Sequence, residues 1–137
     1  MSQASLNPGP GTLVRDALAA VLLTMDSASS TATGDWTNVE FPWLCAVWAD
    51  MGTIAGSDDT VDIQILGADD ASGTNPVVYG EFSQYAHTDD DVSKRLVVQA
   101  FKPYMQAVAT IAGSSPDVTG TVTVRTLLDR LDEDSTA

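Results

Sequence analysis

The chain is short of the residues on which most site chemistry depends. It has one cysteine, Cys45, and one histidine, His87, in 137 residues. A single cysteine excludes an internal disulfide, and one His with one Cys falls short of the usual zinc ligand set. Nor does the sequence supply an organised partner set around His87 for a nucleophilic triad. No GxSxG, HExxH, CxxC or phosphate-binding glycine loop occurs. The expectation is a non-enzymatic protein with no catalytic residue, no metal site and no cofactor.

Basic residues are equally scarce. Six Lys and Arg stand against nineteen Asp and Glu, a formal charge of −13. Direct binding of nucleic acid needs a basic footprint, and an anionic membrane surface repels such a chain. Long apolar runs are missing too, since the longest, Ala17 to Met25, is about half a membrane span. The opening MSQASLNPGPG has neither a basic n-region nor an apolar core, so no signal peptide is expected, and the protein is expected in the cytoplasm where it is made.

What remains is globular: 44% apolar and 18% charged residues, enough for one domain with its own core. Residues 1–12, with Pro8, Gly9, Pro10 and Gly11, predict an extended N-terminal arm. The run TLVRDALAAVLLTM fits helical spacing slightly better than strand, although short apolar runs do not reveal their period. Beyond the small-polar loop at 26–35 the pattern turns to alternation. WTNVEF, WLCAVWAD, TVDIQIL, VVYGEFSQY, SKRLVVQAF and TGTVTVRTL each predict a strand, with Gly80 as a possible bulge. WLCAVWAD is apolar on both faces, as in the middle of a sandwich. Gly, Ser, Asp and Pro clusters separate the strands, which predicts an all-β fold, an antiparallel β-sandwich or jelly-roll-like body. The body spans 13–126, and an acidic C-terminal tail spans 127–137.

Three acidic clusters adjoin strands: Asp58 and Asp59, Asp69 and Asp70, and Asp89 to Asp91. None has the spacing of a calcium loop, and aspartate suits turns because its carboxylate accepts nearby backbone N–H groups, so turn chemistry is the expected role. Asp62 and Glu81 point outward on predicted strands, but a glycosidase pair is a weak reading of any acidic protein. Cys45 reads as a small core residue. Trp36, Trp43 and Trp48 suit core or interface packing better than sugar stacking, with Trp43 and Trp48 on opposite faces of one strand. Lys94, Arg95 and Lys102 lie on or beside one strand and predict a basic docking patch for an acidic surface.

The order RDALAAVLLTMDSASS, CAVWADMGT, TVDIQILGADDASGT, YGEFSQY, KRLVVQAF, GTVTVR resembles small structural proteins of tailed bacteriophages and related viruses, including head decoration (cement) proteins. The resemblance covers roughly 15–126. The central turn glycine is displaced to Gly73, and Leu96 stands where the family has an aromatic. It implies that Ala17 to Met25 is a strand. It also implies a capsid decoration protein on the virion surface that binds the major capsid protein and bridges its subunits, stabilising the head, as a homo-oligomer (trimer or dimer). The contacts expected on that reading are Leu6, Asn7, Pro8 and Pro10 of the arm, Trp36, and the patch of Lys94, Arg95 and Lys102. The alternatives are a tail, neck or head-completion protein, or a carbohydrate-binding β-sandwich module.

Overall fold

The computed structural model describes residues 19–39 and 43–127. The expected arm (1–12), with Leu6, Asn7, Pro8 and Pro10, and nearly all of the acidic tail lie outside the described residues. Those described form ten strands and one short 3-10 turn. β1 is Ala19–Ala28, β2 Ala32–Thr33, β3 Thr37–Asn38, β4 Trp43–Ile54 and β5 Thr60–Ala68. β6 is Val77–Glu81, β7 Tyr85–Ala86, β8 Ser93–Ala100, β9 Tyr104–Ala112 and β10 Val118–Leu127, with the 3-10 turn at His87–Asp89.

All pairings are antiparallel. One sheet runs β1-β10-β4-β8, and the other runs β2-β9-β5-β6, with β3 added to β9 and β7 to β5. The two sheets pack face to face and share one apolar layer, so the fold is the expected β-sandwich. Alternation decides what enters that layer. Val61, Ile63 and Ile65 of β5 are buried, while Asp62 and Gln64 are only partly covered. Cys45, Val47 and Ala49 of β4 face them from the other sheet, with Val122 and Val124 of β10 beside them. Burial raises the Cys45 thiol to about 11, so it is an inert core residue, as its sequence context implies.

Ala19 to Met25 is strand rather than helix, and a bulge explains the misleading spacing. Val21 pairs with Thr123 but Leu23 with Val122, leaving Leu22 as an extra residue. Both leucines thereby enter the core, at 2% and 5% exposure. Two apolar neighbours followed three residues later by Met25 imitate a helical stripe.

Three strand expectations need correction. VVYGEFSQY is not one strand: it breaks after Glu81, buries Phe82 and resumes at Tyr85. The irregular residue there is Tyr79, since Gly80 pairs with Ile65 and Val78 with Leu66. Tyr79 turns inward so that its hydroxyl accepts the Lys102 N–H at 3.0 Å. WTNVEF contributes only Thr37–Asn38, with Glu40 and Phe41 outside the described residues. Finally β9, YMQAVATIA, is a strand outside the expected set. It pairs with β5 along nine positions, from Thr60↔Ala112 to Ala68↔Tyr104, and buries Met105, Ala107, Ala109 and Ile111.

Tyr85 is the largest fully buried side chain, and its hydroxyl donates to the Ala49 carbonyl at 2.8 Å across the sandwich. Burial pushes its phenol up to about 12. Tyr85→Phe should cost about 1–3 kcal/mol by leaving a buried carbonyl without its donor. Ile63→Ala should cost about 2–5 kcal/mol. Denaturant unfolding followed by far-UV circular dichroism measures both.

Candidate functional site

The acidic clusters are structural clasps. Asp59 is 1% exposed, and its Oδ2 accepts the N–H groups of Gly56 at 2.9 Å and Asp117 at 3.1 Å. Its Oδ1 has no hydrogen-bond partner among the described residues and is closed in by the α-carbons of Gly56 and Gly113. Gly113 has φ +147°, a conformation side chains resist, and a Cβ there would strike that oxygen. Asp58 accepts the Ser114 N–H at 3.0 Å, so the pair ties the β4–β5 loop to the β9–β10 loop. Asp70 accepts from Ser72 N at 3.0 Å, Thr74 N at 3.2 Å and Thr74 Oγ1 at 2.7 Å, and Asp69 from Asn75 and Lys102. Asp89 accepts the Ala86 N–H and Asp90 the Ile54 N–H, while His87 Nδ1 donates to the Ile54 carbonyl at 2.7 Å. Among the described residues no three acidic, His or Cys side chains converge as a metal set.

The anticipated basic patch does not form. The Lys94 ammonium turns inward to Ser83 O, Ser83 Oγ and Gln84 O at 3.0–3.1 Å and lies 4.1 Å from the centre of the Tyr85 ring. Lys102 reaches the other way, to Asp69 at 2.9 Å and Asn75 O at 2.8 Å. Only Arg95 projects outward, because it has the opposite parity to Lys94 on β8. Trp36 is likewise no free aromatic: its indole is half-buried over Gly73, whose positive φ and missing side chain admit it.

Arg95 stands on the outer face of the four-stranded sheet, and that face differs from every other surface described. Its residues run in rows across the strands. Val21, Thr123, Trp48 and Arg95 form one row, and Ala19, Arg125, Ala46 and Val97 the next. Val21, Leu44 and Val97 are 56%, 45% and 47% exposed, three of the five large apolar side chains that stand open to solvent among the described residues. The Arg95 guanidinium lies 5.6 Å from the centre of the Trp48 ring. A groove of about 360 Å³ opens beside that ring, lined by Ala19, Trp48, Thr123, Val124 and Arg125. Asp50, at the far end of β4, takes the hydroxyl of Ser93. Among the described residues neither Arg95 nor Arg125 has an ion-pair partner.

The outer face of the other sheet is the contrast. There Gln64 donates to Glu81 at 3.1 Å and Gln84 to Asp62 at 3.0 Å, so each carboxylate is satisfied by a glutamine amide. The six-stranded face sets these paired amides beside one exposed valine, Val78, whereas the four-stranded face carries three exposed apolar side chains and two arginines with no ion-pair partner among the described residues. Arg125 and Val21 were not anticipated as site residues, although the parity of TVTVR places Arg125 on the non-core side. Protein-family models give no match to the chain, and a search of curated proteins gives none either.

Two outcomes test the clasps. Asp59→Ala should lower stability by about 2 kcal/mol or more, because two buried N–H groups lose their acceptor. The carboxyls of Asp69 and Asp70 are held below their ordinary 3.8, first by the Asn75 and Thr74 hydrogen bonds respectively. A lowered folded value means that their contribution is full above 3.8 and disappears as pH falls through the still lower folded value. Trp36 fluorescence, read over the turn that they hold, should therefore change only below that pH, and Asp70→Asn should abolish the change.

Proposed function

We propose that this chain is a non-enzymatic structural protein that works by docking, a capsid decoration protein that attaches to the outer surface of a shell of major capsid protein. It would bridge neighbouring subunits there, as a homo-oligomer, and stabilise the head. The observation that carries the docking reading is the outer face of the four-stranded sheet. Water-exposed valines and a leucine, a half-covered tryptophan and two arginines without an ion-pair partner among the described residues, on a chain of charge −13, form a surface that gains by being covered. Tryptophan and arginine are the residues that carry most of the binding energy in protein interfaces. The capsid as the setting rests on the ordered segments that resemble decoration proteins and on the compact sandwich body that they share.

Several features support docking over chemistry. The carboxylates are spent on backbone clasps and glutamine amides, the thiol is sealed in the core, and the histidine is tied to a strand-end carbonyl.

Incubating the protein with expanded capsid shells that lack it, then sedimenting the shells, tests this reading. Wild-type protein should co-sediment, and the double variant R95E/R125E should bind roughly tenfold or more weakly while keeping its circular dichroism spectrum. Shells that retain no wild-type protein would overturn the capsid setting. Equal binding by the double variant would remove the outer face as the docking surface.

A further inference from the structure

The two arginines dictate the spacing of whatever covers them. Arg95 is in register with Trp48, and Arg125 with Ala46, two residues along the same strand β4. They stand two strands and two residues apart, which places their α-carbons about 12 Å from each other. In an extended segment the side chains at i, i+2 and i+4 share a face, and i and i+4 lie about 13 Å apart. A segment with carboxylates at i and i+4 and an apolar residue at i+2 would cross the strands obliquely, with one carboxylate on each guanidinium. Its central side chain would then rest against Trp48 and the adjoining groove.

The chain itself contains one fitting segment. Of its nineteen Asp and Glu, only two pairs are four residues apart: Asp58 and Asp62 around Thr60, and Asp129 and Glu133 around Leu131. The first pair is built into the sandwich, Asp58 on Ser114 and Asp62 on Gln84. The second, in the sequence DRLDE, follows shortly after β10.

We infer that the outer face receives residues 129–133 of a second copy of this chain, with Asp129 and Glu133 on the two arginines and Leu131 on Trp48. Reach keeps the same copy from laying that extended, stacked segment across its own strands. Asp129 is two residues past Leu127, so their α-carbons are at most about 7 Å apart. A strand stacked on a sheet lies about 10 Å above it, and Arg125 is two residues back from Leu127, so even the nearer arginine demands about 12 Å. The segment must therefore come from a neighbour, and copies that repel over most of their acidic surface meet where the cations are.

This inference rests on the reading of the outer face as a docking surface, and a charge exchange in the full-length chain tests it. Sedimentation velocity of the wild-type protein should show concentration-dependent self-association that weakens as salt rises. R95E/R125E and D129R/E133R should each weaken association roughly tenfold or more, and a chain carrying all four changes should regain most of it. An excess of a synthetic peptide of residues 128–137 should dissociate the wild-type assembly. A wild-type monomer, or a fourfold variant no better than either pair, overturns the inference. A monomer that still attaches to shells through Arg95 and Arg125 overturns it while leaving the docking reading intact. Association restored by the exchange, without attachment to shells, upholds it and removes the capsid setting.

Discussion

Everything in this molecule follows from two sheets sharing a single apolar layer. A strand has two faces, and in a two-layer sandwich only one of them can be buried. Val47, Val122, Ile63 and Met105 fill that layer, and Tyr85 fastens it with a hydroxyl to the Ala49 carbonyl. The remaining face of each sheet is thereby released from any duty to the core. What stands on it is set by solubility or by contact with something else, which is why the two outer faces are so informative when compared.

That comparison divides the charge of the protein into two kinds. Most described carboxylates are employed locally, accepting backbone N–H groups where loops turn or amides along the polar sheet. Asp59 is the extreme case, sealed between two glycines so that the β4–β5 and β9–β10 loops hold together. Two of the four described cations, Lys94 and Lys102, serve the same internal purpose. Lys94 also points inward from an edge strand, a placement that discourages unwanted pairing along that edge. Among the described residues Arg95 and Arg125 have no such partner, and they flank the half-exposed Trp48 on the outer face of the four-stranded sheet.

Much of this was legible from the residues in order, and the failures have physical causes. TVDIQIL reads as a strand because one face is buried and the other is not, and its alternation survives intact. YMQAVATIA escapes notice because alanines at 107 and 109 replace the bulky residues that usually announce a core row. They are small because β9 lies at the middle of its sheet, where the opposing layer supplies the volume. The leucine pair at 22 and 23 misleads in the other direction, since a bulge admits both into the core. Lys94, Arg95 and Lys102 look like a patch in a linear reading, but the pleat sends neighbours to opposite faces, and the β8–β9 turn carries Lys102 away from both. The outer row of β4, which resembles a strand buried on both sides, does bury Ala46 but leaves Leu44 exposed and Trp48 partly so.

By itself the sequence determined the class of fold and the use of aspartates as turn residues. These depend on local alternation and on the chemistry of single side chains, which are written in consecutive positions. Only the tertiary structure decided which of the described cations are consumed internally, that Trp48 stands on a sheet face while Trp36 lies over a turn, and that Val21, Trp48, Arg95 and Arg125 share one surface. Those residues come from four strands far apart in the chain. Their proximity is a matter of strand order and register, and no local pattern encodes it.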